Sequence, residues 1–484
     1  MKKIALLTCL LLVLCSFSFV LNGCNAKQKL TEYNIDCTFN DNTLTGKQTV
    51  SFYNDTDIVF DELKFNLFGN AFRKGASYSP IADQHQTKSY PNGLSYGDMQ
   101  ISLVEVEGDG KDINIQGQDQ NILVVELDKE VFPNERVEVY IEYTLNLANV
   151  IARTGYNDHT VNLANFYPIL CGIDQNGFYE CVYYSIGDPF YSDVASYEVT
   201  FCCDNTYKVA SSGVQVDKSS DNNLSSYKFQ LDCARDFALV LSKDFNILQD
   251  DSTGVQINYY YYQDKEPSKS MDFCVKAINL FTEKFGEFPY KSLAVVQTEF
   301  VQGGMEFPAL VMISDDLEGI SYGEVIVHET AHQWWQSAVG CNEIEHGFLD
   351  EGLAEYSVVL FYENFSEYGY TRESLIKASQ DTYKVFCSVY DKVFKGVNTV
   401  MDRSLKDFIN EYEYVNIAYI KPCIMYDDLR NTIGEQKFFT ALQRYYKEYK
   451  FKNATPDDMA GVFEKCGADT NGYFESFFNG KAII

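Results

Sequence analysis

His328-Glu329-Thr330-Ala331-His332 is followed, after 18 intervening residues, by Glu351 within Leu349-Asp350-Glu351-Gly352-Leu353-Ala354-Glu355-Tyr356. On an α-helix, residues four apart share a face, so both imidazoles can reach one metal ion. Glu329 sits about 100° round that helix and leans over the position of a metal-activated water. A zinc site that does chemistry needs three protein ligands and one open position, and Glu351 on a second helix supplies the third ligand. The pattern predicts one Zn²⁺ per chain held by His328, His332 and Glu351, with Glu329 as general base. The chain has five histidines, and this motif uses two of them. Glu355 lies one turn beyond Glu351 and is either an outer partner orienting a ligand imidazole or a surface carboxylate. His346 fits no ligand spacing. Trp334 and Trp335 read as helix packing.

Working outward, Ser321 and Glu324 are spaced as a capping box that opens the motif helix. Upstream, Met271, Cys274, Ile278, Phe281 and Phe285 recur at helical spacing, with Gly286 as a stop. Leu293–Gln297 reads as a strand. Downstream, Thr455-Pro456-Asp457-Asp458 is a helix start, with Pro at the first helical position and acids in the first turn. Before residue 250 the pattern changes. Val137, Val139, Ile141 and Tyr143 alternate with Glu138, Tyr140 and Glu142, as a half-buried strand does. Gln48–Tyr53, Asn121–Leu127, Tyr207–Ala210 and Phe237–Leu241 are similar runs. Between them lie breaks such as Gly108-Asp109-Gly110 and Ser219 to Ser225. The expected fold class is α+β and multidomain: a β-sandwich-like domain over 24–250, then a mainly helical domain with a small sheet over 251–484.

The formal net charge of the 484 residues is −30, which argues against a nucleic-acid partner, since phosphate binding needs clustered Lys and Arg. Residues 1–23 read as a targeting segment, with Lys2 and Lys3 ahead of an apolar run from Ile4 to Val20. Leu21-Asn22-Gly23-Cys24 resembles a bacterial lipobox, which implies lipidation of Cys24, although Asn22 departs from the usual small or apolar residue. The other reading is an uncleaved signal anchor. Either way the expected location is the extracytoplasmic face of the cell membrane. Removing Cys9, Cys15 and Cys24 from the 14 cysteines leaves 11, an odd number at irregular spacing that is not a disulfide framework. Cys202 and Cys203 point to opposite faces of a strand and are not expected to pair. Cys171 with Cys181 is one possible bridge.

With these motifs quoted, the chain resembles the membrane alanyl aminopeptidase family of zinc metallopeptidases, which includes leukotriene hydrolase. Its HExxH-x18-E pattern is met one for one by His328, Glu329, His332 and Glu351. The family's Gly-Ala-Met-Glu-Asn segment, which recognises a free amino terminus, has its counterpart in Gly303-Gly304-Met305-Glu306-Phe307. The resemblance implies that Glu306 binds the substrate ammonium, with Gly303, Gly304 and Met305 beside it, while Phe307 replaces the Asn. Ala418-Tyr419-Ile420-Lys421-Pro422-Cys423 is similar to the segment carrying the family's catalytic Tyr, with Pro422 in place of a Gly. A phenol at Tyr419 could stabilise an oxyanion, and Tyr412 and Tyr414 are its neighbours.

The implied fold of residues 251–484 is thermolysin-like. The chain stops about 65 residues after Tyr419, so no large C-terminal helical domain is expected. The implied function is removal of N-terminal residues from peptides. Two alternatives stand beside it: a thermolysin-like zinc endopeptidase, and an inactive lipid-anchored peptide-binding protein.

Overall fold

The computed structural model describes residues 29–468, 470 and 472–481. The candidate leader and Cys24 lie outside them. The N-terminal half is built on an eight-stranded sheet whose centre runs Ala195–Asp204, Thr31–Asn40, Thr43–Tyr53, Arg136–Asn146, Asp98–Val106. Thr31–Asn40 pairs with Ala195–Asp204 in parallel and with Thr43–Tyr53 antiparallel. The tight turn between the latter two uses Asp41 and Asn42 at φ 49° and 62°, the left-handed pair that matches the twist of a two-residue hairpin. Alternate residues of Arg136–Asn146 are buried, as the alternation predicted. They face a second sheet containing Phe60–Asn66 and Ile122–Val131, and the two share one core through Ile35, Val139, Ile141, Leu63, Phe65 and Leu123. The expectation of a β-rich N-terminal half is met in this form.

Three local expectations are corrected. Ser219 to Ser225 is not a broad break: Val214–Asp221 and Leu224–Ala234 are paired strands around Asn222. The first of them is solvent-exposed along nearly its whole length, so backbone pairing forms it with no apolar alternation to reveal it. Cys171 and Cys181 are both buried free thiols rather than a bridge. The motif helix spans Gly319–Ala331 with Glu318 at its N-cap and no side-chain cap, so the Ser321–Glu324 capping box does not form. Ser321 already lies inside the first turn, one turn too late to cap it.

The C-terminal half starts from a five-stranded sheet in the order Asn246–Asp250, Gln256–Tyr261, Ser292–Thr298, Leu310–Ser314, Gly304–Met305. Asn246–Asp250 belongs to this sheet, although the sequence reading places it before the boundary at 250. The three central strands are parallel, and Pro267–Phe285 is the helical crossover between the first two of them. Every residue of Ser292–Thr298 is buried, which is why it reads as an unbroken apolar run. A small sheet containing Val161–Leu163 and Leu239–Ser242 packs on it. Ala164, Ala210 and Ala238 meet Ala294, Val296 and Met312 there, and such short side chains bring the two halves close. Gly304–Met305 forms the sheet edge beside the motif helix. Thr455 caps the helix Pro456–Lys465 in a capping box with Asp458, as the sequence indicated. Trp334 and Trp335 are fully buried against Phe281, Phe285 and Phe288.

Candidate active site

His328 and His332 project from the end of the helix Gly319–Ala331, and Glu351 from the first turn of Phe348–Asn364. Gly352 lets this second helix approach Lys421–Ile433: a Cβ there would stand 2.5 Å from Pro422. Glu351 is thereby carried next to Tyr419. The two imidazole Nε2 atoms lie 3.1 Å apart, and each is 3.3 Å from Glu351 Oε2. A tetrahedral zinc ion with bonds of about 2.0–2.1 Å sets its ligands about 3.3 Å apart, so the triangle fits. The proton positions agree with this fit. His332 Nδ1 is 2.9 Å from the Trp335 carbonyl, which can only accept, so Nδ1 carries the proton and Nε2 presents a lone pair. Glu355 Oε2 stands 3.4 Å from His328 Nδ1 and orients that ring in the same way. Two lone pairs and a carboxylate oxygen converge with no donor between them, and a cation is what satisfies such a set. Burial works against the charge on Glu351, but His332 and His328, which take up protons when no metal is bound, outweigh it and bring its pKa down to about 2.

Glu329 is buried, and its Oε2 has no hydrogen-bond partner. Burial raises its pKa to about 7, with the two imidazoles opposing that rise. Its carboxylate rests on Gly304, where a Cβ would lie 2.1 Å from Oε1. Gly304 therefore makes room for the base. Gly303, at φ 97°, takes a left-handed conformation and accepts at its carbonyl from the Ser314 amide over 2.7 Å. The Met305 side chain is buried in the core with Val296, Phe307 and Met312, and its sulfur accepts from Arg153 Nε at 3.0 Å. Its side chain thus points away from the cleft that its sequence neighbours line. Phe307 is likewise a core residue, and Gln333 of the motif segment ties its carbonyl and the Ala309 amide together.

Glu306 is buried, with Oε1 unpartnered. Glu306, Glu329 and His332 offer atoms within 4.8 Å of one another, as do Asp188, Glu306 and Glu351. Burial and then Asp188 push the Glu306 pKa well above the usual carboxylate range. Sequence reasoning missed Asp188 and its partner Arg153, whose guanidinium is buried against it and donates to the Gly187 carbonyl at 3.1 Å. Arg153 is the only Lys or Arg among the described residues that line the cleft, a cavity of ≈ 320 Å³. A buried Arg in a chain with 39 Lys and Arg carries no local signature by which sequence alone could single it out.

Tyr419 lies in a π-helical turn, Val415–Ile420, that runs straight into Lys421–Ile433. Pro422 explains the wide turn: it lacks the amide that would bond to Ala418, and its ring would collide with that carbonyl in a regular helix. The phenol is 2.5 Å from Glu351 Oε1, and its ring stacks on His328 at 5.8 Å. Tyr414 also lines the cleft, whereas Tyr412 is exposed. His346 pairs with Asp402 at 2.6 Å, away from the triangle.

Residues 269–479 match the family model described as the Peptidase family M1 domain. Among curated relatives, Aminopeptidase M1-D of Oryza sativa subsp. japonica is 24% identical over 213 residues, covering 41% of this chain and 24% of the relative. Aminopeptidase N of Lactobacillus delbrueckii subsp. lactis is 26% identical over 224 residues, covering 43% and 26%. The chain thus spans about a quarter of the length of the curated relatives it matches. Its fold is similar to the crystal structure of an M1 zinc metallopeptidase from Deinococcus radiodurans at TM-score 0.68 and 15% identity, over 94% of this chain and 95% of that one. A mutant of that protein bound to a Tyr-Ser-Ala substrate superposes at TM-score 0.67, with 16% identity over the same shares of each chain.

Proposed function

We propose that this chain, whose residues 269–479 match the peptidase family M1 domain, is a zinc aminopeptidase that removes N-terminal residues from peptides. The observation that carries the second half of that reading is Glu306. A buried carboxylate with an unpartnered oxygen, a few ångströms from a metal triangle, suits a substrate ammonium and leaves only the first peptide bond within reach of the metal. An endopeptidase would have to thread neutral backbone past that charge, which favours the exopeptidase over the thermolysin-like alternative.

Zinc, when bound, supplies Lewis acidity and lowers the pKa of a coordinated water towards about 7. Glu329 takes a proton from the attacking water at Oε2 and delivers it to the leaving amine. Glu306 anchors the ammonium, so the reacting carbonyl is positioned before chemistry begins. Tyr419 donates its hydroxyl to the oxyanion that develops on that carbonyl. Arg153 holds Asp188 in place and balances one of the acids around the substrate.

Aminoacyl-anilides, free and N-acetylated, with and without a zinc chelator, test the proposal. Cleavage of the free forms alone, abolished by the chelator, is the expected result. Equal cleavage of the acetylated forms would establish the endopeptidase, and no cleavage of any would favour the inactive binding protein.

For location, we propose attachment at the extracytoplasmic face of the membrane through Cys24 or the uncleaved leader. The Lys2-Lys3 and apolar pattern of the leader supports this, and no helix among the described residues is long and apolar enough to cross a membrane. Metabolic labelling with an alkynyl fatty acid, compared between wild type and Cys24→Ser, separates the two modes.

A further inference from the structure

We infer that the cleft carries an acidic subsite, formed by Glu324 and Glu355, that selects a Lys or Arg side chain on the residue following the scissile bond. The inference rests on the aminopeptidase reading and deepens it.

The cleft has a direction. Glu306 and Asp188 gather on the His332 side of the metal triangle, where Glu306, Glu329 and His332 offer atoms within 4.8 Å of one another. Glu355 stands on the other side, 3.4 Å from His328 Nδ1. A peptide held by its ammonium at Glu306, with its first carbonyl at the metal, sends its second residue past His328. The wall it meets comes from the turn before the motif helix, the first half of that helix and the helix that carries Glu351: Leu317, Ser321, Glu324, Val325, Glu355 and Val358 line it.

Glu324 has no hydrogen bond or ion pair to any described side chain in this wall. It is half-buried, one helical turn before His328, beside Val325 and the exposed Ser321. Burial and then Glu355 oppose its ionisation. His328 pairs with Glu355 and only partly offsets Glu324, and no lysine or arginine lining the cleft among the described residues does more, because Arg153 is ion-paired with Asp188. A half-buried carboxylate without a partner is costly unless a cation arrives with the substrate. The apolar wall suits such a side chain. Leu317, Val325 and Val358 can cover the alkyl stem of Lys or Arg while its charged end reaches Glu324 and Glu355. A neutral side chain of similar length would fill the same space and leave Glu324 without a partner, and an acidic one would add repulsion.

The test compares kcat/KM for Ala-Lys-Ala, Ala-Met-Ala and Ala-Glu-Ala on the full chain loaded with zinc. The expected order is Lys, then Met, then Glu, with at least about a 10-fold preference of Lys over Met, the scale of a hydrogen bond to a charged group. Glu324→Gln should draw the Lys:Met ratio towards one, and Glu324→Lys should invert the Lys:Glu ratio. Ratios cancel any general loss of folding or metal. All three peptides cleaved with similar kcat/KM would overturn the subsite and leave the aminopeptidase standing, as would a Lys preference unchanged in Glu324→Gln. Failure to cut any of them would overturn both.

Discussion

The Tyr419 hydroxyl lies 2.5 Å from Oε1 of Glu351, the oxygen turned away from the two imidazoles. Glu351 is thus shared: Oε2 faces the metal position, and Oε1 holds the phenol beside it. Burial and the neighbouring Glu351 raise the Tyr419 pKa well above normal, so the phenol keeps its proton to donate. Tyr419→Phe should lower kcat by about 10²–10³ with zinc content unchanged, because all three ligands remain. Steady-state kinetics alongside metal analysis checks this. Normal turnover would move the donor role to Tyr414, which also lines the cleft.

Gly304 invites a sharper mutation. A methyl group there would come within 2.1 Å of Glu329 Oε1 and 2.7 Å of its Cγ. The side chain of Glu329 can give way, whereas the edge strand is held by its pairing to Leu310–Ser314. Gly304→Ala should therefore displace the base and cost on the order of 10²-fold in kcat, the lower range for losing a general base. Zinc occupancy and the melting temperature should stay close to wild type. Loss of metal instead would show that Gly304 shapes the ligand triangle.

Glu306 trades stability for function. Burial and Asp188 oppose its ionisation, and one oxygen is unpaired. Glu306→Gln keeps the shape and removes the charge, so the variant should melt higher than wild type by a few degrees. Its kcat/KM on free-amino substrates should fall by about 10²-fold or more, with zinc retained. An unchanged kcat/KM would remove the basis for the exopeptidase reading.

What the sequence disclosed and what it hid divide along physical lines. The metal triangle was legible because helix periodicity converts a spacing of four residues into one face, and the Gly352–Pro422 approach then seats Glu351 opposite. Val137 to Tyr143 was legible because one face of that strand is buried. The strand Val214–Asp221 was not, since an exposed hairpin has no alternation to read. Arg153 and Asp188 are 35 residues apart, and only the tertiary fold brings them together beneath Glu306. The π turn at Tyr419 was hidden too, although Pro422 was the available signal.

Asp236 sets a pH dependence of its own. Burial raises its pKa to about 7, while hydrogen bonds from Tyr167, the Phe237 amide and Asn165 oppose that rise. The folded state thus binds a proton that the unfolded chain, near its ordinary pKa of about 3.9, has already lost. The stability from this group is complete below about pH 4 and is lost as pH rises through about 7. Asp236→Asn abolishes the titration, and Asn165 Oδ1, which lacks a partner, can accept from the new amide after a flip. Urea unfolding at pH 5 and pH 8 should show the variant gaining on wild type at the higher pH. A difference that does not change with pH would refute the assignment.

Removing zinc should unfold the site's own logic. His328 Nε2, His332 Nε2 and Glu351 Oε2 converge to 3.1–3.3 Å, and without a cation either the imidazoles must take up protons or the ligands must separate. The triangle joins the helices Gly319–Ala331 and Phe348–Asn364, so loosening it frees the elements that also carry Glu329 and Glu355. Metal that binds only the folded state adds about 4 kcal/mol when its free concentration is about 1,000 times Kd. Chelation should therefore abolish peptide cleavage and lower the melting temperature, and added zinc should restore both in parallel. Glu351→Ala should behave like the chelated protein even with zinc present, whereas Glu355→Ala should weaken binding by about 10–100-fold and recover at higher zinc, as loss of an orienting partner does. A melting temperature indifferent to chelator, in protein shown by metal analysis to have lost its zinc, would mean that these three residues meet for a reason other than a metal.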